Sequence, residues 1–290
     1  MKLGQLSKVL LAVLLAAALV VLTSGCEVGQ DDEMASPTRT VTASPSPRTT
    51  AAPTTVPVGQ GRVSTSTAVW AQDSTLHVGS NEVDVSPRNI DSFVVVAGGV
   101  FLLDRGELWF TDLRRVRDTG LRGVTRVSTT RDGRAMRVEV TTGSGGVDVH
   151  AYDVLSGASI PPGDAKPATA ADRLGRPAQV VLRPERSDVS PGVPVPPVPA
   201  RLGPGRYGVV GGDGEPLDAF DSTTRRRIAL QGVVGNGFEL VKWLNGATLF
   251  GLALDNRRPV AALGCNLSTR DCITFGKVDA GRPLVLESGT

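Results

Sequence analysis

Along residues 61–290 the apolar positions fall into short runs, or alternate with polar ones, and Gly-, Pro- and Asp-rich stretches separate them. Phe93-Val94-Val95-Val96, Gly99-Val100-Phe101-Leu102-Leu103 and Leu108-Trp109-Phe110 follow one another with only a few residues between. Met136–Val140, Val147–Tyr152, Tyr207–Val210, Leu240–Leu244 and Ala247–Phe250 repeat the texture further on, and Ala68–Ala71 precedes them. Each run suits one half-buried or buried strand, and little 3.6-residue periodicity is present. Many short strands spaced by turns predict an all-β domain: a sandwich, barrel or propeller.

An internal period chooses among these. Leu108–Leu113 and Val149–Val154 are both apolar strands with an aromatic that end in Asp plus an aliphatic residue, and Asp112 and Asp153 lie 41 residues apart. A third such strand end, Asp221, lies 68 residues beyond Asp153, the excess coinciding with a Pro-rich insertion near 161–199; Asn266 follows after 45 more. A repeat of this length is that of a propeller blade. The segment Ser128-x-x-x-Asp132-Gly133-Arg134, a strand, a loop, then Val149-x-Ala151-Tyr152-Asp153-Val154-Leu155-Ser156-Gly157 resembles a blade of the WD40/YVTN-type propellers of exported bacterial proteins. Asp-Gly closes a tight turn, and the Asp after the aromatic strand caps the next one. The resemblance implies a propeller-like domain of about five short-stranded blades, with a β-sandwich as the alternative.

The amino terminus carries a different pattern. Lys2 and Lys8 flank or precede an uncharged run from Val9 to Leu22, fourteen residues long. As a helix it would span about 21 Å, short of the roughly 30 Å hydrocarbon core, so it reads as a signal-peptide segment rather than a permanent span. Leu22-Thr23-Ser24-Gly25-Cys26 then resembles the bacterial lipobox, with Thr23 where Leu is commoner. That resemblance implies removal of residues 1–25 and acylation of Cys26, and hence a protein held at the extracytoplasmic face of the cell membrane; the Trp243 blade, ending in the Cys265 hairpin, is similar to the closing repeats of actinobacterial-type exported lipoproteins. Residues 26–60 read as a stalk: of the 22 residues from Ser36 to Pro57, ten are Ser or Thr and five Pro, too polar to bury a core. Extended, this stretch reaches about 70 Å. Glu27, Asp31, Asp32 and Glu33 would be repelled by anionic headgroups, which predicts a globular part standing off the bilayer.

Charge removes one class of partner. Lys plus Arg number 31 and Asp plus Glu 29, and two of the lysines lie in the signal segment, leaving 29 against 29. Nothing in this balance argues for nucleic acid. Of three cysteines, acylation of Cys26 leaves Cys265 and Cys272, whose flanks read as two strands around a turn. An extracytoplasmic compartment permits them to pair as a staple; two thiols without neighbouring histidines do not complete a zinc shell.

Signs of catalysis are scarce. His77 and His150 each sit inside a strand, on the side opposite the apolar face. Gly143-Ser144-Gly145-Gly146 and Val210-Gly211-Gly212-Asp213-Gly214 read as hairpin turns rather than a nucleophile elbow or phosphate loop. No catalytic residue, cofactor or metal is predicted. Arg114, Arg115 and Arg117, with Arg122 and Arg126 nearby, and the run Arg225-Arg226-Arg227 fall at equivalent places in the repeat, as outer-strand charges that discourage edge pairing or as an anion-attracting face. Three Trp and two Tyr are few for a sugar-stacking platform. The expected function is a membrane-anchored, non-catalytic binding module that recognises an extracytoplasmic protein or cell-envelope component. The alternative is a propeller-type hydrolase of glycans or lactones, in which Asp104, Asp132 and Asp213 would converge on a central channel.

Overall fold

The computed structural model describes residues 52–183, 196–211 and 214–288. The signal segment, Cys26 and most of the predicted stalk lie outside them. The described chain is built from antiparallel sheets of four or five strands, five sheets in all, rather than the two of a sandwich.

The first sheet joins β1 (Val69–Gln72), β2 (Thr75–Val78) and β3 (Asn81–Asp84) to β21 (Leu284–Val285), in the order β21-β1-β2-β3. The second is β4 (Ser92–Val96), β5 (Gly99–Asp104), β6 (Glu107–Thr111) and β7 (Val116–Arg122), each pairing with the next. The third is β8 (Val124–Thr129), β9 (Ala135–Thr141), β10 (Val147–Asp153) and β11 (Ser159–Ile160). The fourth runs β12 (Arg176–Val180), β13 (Val198–Leu202), β14 (Tyr207–Val210), β15 (Asp218–Asp221) and β16 (Arg227–Ile228). The fifth is β17 (Gly237–Trp243), β18 (Thr248–Asp255), β19 (Arg258–Asn266) and β20 (Asp271–Lys277).

Such meandering sheets are blades of a propeller. The inner strands face one another: β4 contacts β8, and Phe93 of β4 bridges Glu287, just past β21. The carboxyl-terminal strand therefore supplies the inner strand of the first blade and closes the ring. In the fourth blade β13 takes the inner position, and β12 is an additional strand on its free edge.

Strands β1 and β4 and the middle strands of the fifth blade are buried on both faces and are apolar almost throughout, while outer strands such as β3 and β7 are more polar and exposed. Val69–Gln72 is buried at every position, as are all but the first of Ser92–Val96. Val69, Leu76, Val95 and Val100 join blades one and two; Phe101, Phe110, Met136 and Tyr152 join two and three. Val209, Phe238, Leu249 and Leu263 join four and five, and Trp70, Phe250 and Leu252 join five and one. Glycines make room for the larger rings: a Cβ on Gly251 would collide with Phe238, and one on Gly208 with Phe220.

Blades three and four differ. Their facing surfaces hold two separate small clusters, Ala135, Ala151 and Ala165 on one side and Leu182, Ala200 and Phe220 on the other. Ala165 and Leu182 both come from the insertion the repeat spacing exposed. The insertion also holds a short helix, α1 (Ala170–Leu174), started by a reciprocal cap between Thr169 and Asp172. At the other end of the chain, Val56 donates to the Gly157 carbonyl and Ser159 to that of Thr54, so residues 54–56 lie along the edge of the third blade.

Candidate functional site

In each of blades two to five the turn after the third strand is built alike. The Asp112 Oδ1 accepts from the backbone N–H groups of Arg114 and Arg115 at 3.1 and 3.3 Å. Asp153 accepts from Leu155 and Ser156 at 3.1 and 2.8 Å, and Asp221 from Thr223 and Thr224 at 2.9 and 3.1 Å. Asn266 does the same for Ser268 and Thr269 at 3.0 and 3.3 Å. These are the four strand-end positions that the period picks out, and all four are caps, as the sequence predicts for the aspartates. Ionised carboxylates accept such bonds best, which holds the pKa values of Asp153 and Asp221 below the usual range, Asp221 chiefly through Arg206. For Asp112, burial pulls upward, but the two backbone donors and the Arg115 and Arg117 charges outweigh it.

These turns share an end of the ring with the loops joining the first and second strands. Val154 donates to Arg134, Ser222 to Arg206 and Leu267 to Ala247, tying the two kinds of loop together in blades three, four and five. At the hub of this face lies a pocket of about 190 Å³. Inner-strand ends surround it: Thr129 to Arg131, Pro204, Trp243 to Asn245, and Glu287. Helix α1 contributes Asp172 and Arg173.

The charged groups of the pocket are ordered among themselves. Lys242 Nζ lies 2.7 Å from Glu287 Oε2, with the two side chains only 5% and 8% exposed. The other oxygen of Glu287 accepts from the backbone N–H of Val95 at 3.1 Å. Arg173 donates to the Ser288 carbonyl at 3.2 Å; burial pushes its guanidinium pKa down, and Glu287 and Asp172 partly offset that. Arg131 stands 3.5 Å from Asp172. Three cations against two carboxylates give the pocket a net charge of +1. Hydroxyls of Thr65, Ser66, Thr129 and Thr130 complete a polar lining suited to hydrogen bonding.

Among the described residues, the candidate carboxylates Asp104 and Asp132 are not brought together. Asp104 ends β5, the second strand of its blade, and so lies at the opposite end of the ring from Asp132, which sits in the loop after β8. Asp132 is held ionised by Thr130, by the Arg134 backbone and by the Arg134 charge. Asp213 lies outside the described residues. Among the described residues every carboxyl with a displaced pKa is displaced downward, the reverse of what a general acid requires. No group of three or more His, Cys, Asp or Glu side chains among them could hold a metal ion.

The histidines serve structure or lie at the surface. His77 stacks on Trp70 with ring centroids 3.5 Å apart, and its side chain is 13% exposed. Alternation reads it as a partly exposed position, which its intermediate exposure matches, with Trp70 covering one face of the ring. Burial lowers its pKa, with Glu82 opposing. His150 is half-buried in β10. The tryptophans are likewise occupied: Trp70 by His77, Trp109 by the Arg88 guanidinium at 3.7 Å, and Trp243 through a bond from its Nε1 to the Leu174 carbonyl. Cys265 and Cys272 stand opposite each other in β19 and β20 and are joined by a disulfide. Cys26 falls outside the described residues.

The pocket floor could not be read from the sequence, since Lys242 and Glu287 are 45 residues apart with no motif linking them. One legible signal was Thr169-x-x-Asp172, whose spacing marks a helix start beside the hub.

No family model and no curated protein matches the chain. Among solved structures it is similar to a putative TolB from Agrobacterium tumefaciens at 11% identity, with a TM-score of 0.32, covering 75% of this chain and 90% of that one. TolB from Acinetobacter baumannii (13% identity, TM-score 0.26) is covered over 55% of its length by 77% of this chain. A puromycin hydrolase (14%, TM-score 0.24) is covered over 46% of its length by 73% of this chain. At these scores the likenesses add nothing to what the five sheets themselves show.

Proposed function

We propose that the protein is a lipid-anchored binding module of the bacterial cell envelope, acylated at Cys26 and held outside the membrane. On this reading the predicted stalk, residues 26–60, is the tether, with residues 54–56 lying along the third blade, and the hub face recognises an extracytoplasmic protein or envelope component. The Trp243 blade, ending in the Cys265 hairpin, is similar to the closing repeats of actinobacterial lipoproteins. One observation carries the preference for binding over hydrolysis. The two carboxylates that line the hub pocket, Asp172 and Glu287, are committed to a helix cap and ion pairs, while the pocket keeps a polar, weakly cationic lining.

Two measurements test the reading separately. Cys26→Ala should move the protein from the membrane to the soluble fraction; retention through a high-salt wash refutes the anchor. A photo-crosslinking side chain placed at Arg131, on the pocket rim, should capture an envelope component in intact cells. The same group at Asn256, in the β18–β19 hairpin at the far end of the ring, should not. Capture from Asn256 and none from Arg131 overturns the assignment of the face.

A further inference from the structure

A second cavity on the same face has the chemistry of an anion site. It measures about 560 Å³ and lies where residues 58–61 cross the second blade, lined by Val58, Gln60, Gly61, Asp112, Arg114, Arg115 and Arg117. Its single carboxylate is already fully used. Asp112 Oδ1 takes the Arg114 and Arg115 backbone N–H groups, and Oδ2 takes Arg117 Nη2 at 2.8 Å. The guanidinium groups of Arg114 and Arg115 are exposed and form no ion pair among the described residues.

Arg117 is fixed in place. The same Nη2 donates to the Val58 carbonyl at 2.8 Å, and the guanidinium lies 5.1 Å above the Phe110 ring. Its Nε is buried without an acceptor, so its hydrogen-bonding capacity is incompletely met. Three cations against one carboxylate leave the cavity at +2. The charge pattern favours a compact, multiply charged oxyanion over a single carboxylate, because a phosphate brings more negative charge and more acceptor oxygens to share among several guanidinium groups, each bond being charge-assisted.

We infer that the cavity between residues 58–61 and the β6–β7 turn binds a phosphate group through Arg114 and Arg115, with Arg117 as the fixed charge behind them. The ligand is a phosphate ester, either soluble or the headgroup of a phospholipid.

The test uses the purified Cys26→Ala chain, so that no acyl group contributes. Calorimetric titration with inorganic phosphate should show saturable binding. Arg114→Gln with Arg115→Gln should weaken it about tenfold or more, since each removes a charge-assisted bond. Arg257→Gln with Arg258→Gln, equally exposed but in the β18–β19 hairpin at the far end of the ring, should leave it within twofold. Glutamate, as the carboxylate probe, should bind at least tenfold more weakly than phosphate. Co-sedimentation with phosphatidylcholine vesicles containing phosphatidylglycerol then identifies the source. Vesicle binding that phosphate displaces assigns a headgroup, and phosphate binding without vesicle binding assigns a soluble ester. No saturable phosphate binding, glutamate binding as tight as phosphate, or equal losses in the two double variants would overturn the inference. Matching thermal unfolding midpoints for the two variants would show that both remain folded.

Discussion

Lys242→Met leaves Glu287 as a charge only 8% exposed with no cation at 2.7 Å, and Glu287→Gln strands the Lys242 ammonium in the same way. Breaking a buried pair from one side costs about 3–5 kcal/mol, because the remaining charge stays withdrawn from water without its closest counter-ion. For a chain of this size roughly 2–4 °C accompanies each kcal/mol, so either single substitution should lower the melting temperature by about 6–20 °C. The double variant removes both charges. Its glutamine oxygen can still accept from the Val95 N–H, which in the native chain bonds to Glu287 at 3.1 Å, so no backbone donor is orphaned. It should fall within about 1–2 kcal/mol of the native protein, since a buried pair is worth little more than its uncharged replacement. Urea unfolding of the four proteins gives the coupling directly, and a value of at least 2 kcal/mol is expected. Losses that simply add in the double variant would refute the claim that the pair acts as a unit in the hub.

Three other outcomes follow from the geometry. Removing the Cys265–Cys272 disulfide with paired serines should cost about 2.5 kcal/mol by the loop-closure argument for so short a loop, and alkylation of the unreduced native protein should modify neither cysteine. Gly157→Ala should destabilise by more than about 1 kcal/mol, because φ is +75° and the Val56 carbonyl fills the space; Arg225→Gly, at the matching position of the fourth-blade turn with φ of +59°, should stabilise slightly, as read by urea midpoints. Stability should fall as pH drops: the lowered carboxyls, Asp118 at about 2 among them, bind protons more readily when unfolded, so their contribution is full above about pH 4 and is lost as pH falls toward 2. His77, lowered by burial, adds an earlier loss that begins as pH falls through about 6.5, and His77→Phe should remove that early step from a pH–melting profile.

What the sequence disclosed follows from repetition. Asp112, Asp153, Asp221 and Asn266 could be found because each blade must turn its chain in the same way between third and fourth strands, and an Asx cap is a local solution that recurs. The stacking of His77 on Trp70 was not legible because alternation assigns a face but not the partner packed against it. In the first blade Trp70 and His77 are direct cross-strand partners, and the stacked pair takes its position inside the fold. The fourth blade hid its fifth strand for another reason. Arg176–Val180 contains Pro177 and is largely exposed, so it carries none of the apolar texture that marks the other strands, and only pairing with Val198–Leu202 makes it one.

The closing of the ring explains why the charged pair sits where it does. The carboxyl-terminal inner strand is only Leu284–Val285 and pairs with β1 at two positions, too few to hold a blade in register alone. Three further ties lie just beyond it: the Ser288 N–H to the Phe93 carbonyl at 2.7 Å, Glu287 to the Val95 N–H, and Glu287 to Lys242. They fasten the last residues to the second and fifth blades at once, so the latch spans the seam that the short strand leaves weak. An apolar contact is non-directional and would not by itself fix the register. A salt bridge with a backbone hydrogen bond behind it fixes both distance and direction. The same residues floor the hub pocket, so the shape of the recognition face and the closure of the propeller depend on one interaction, and a ligand that contacts Glu287 or Lys242 would bind only the closed ring.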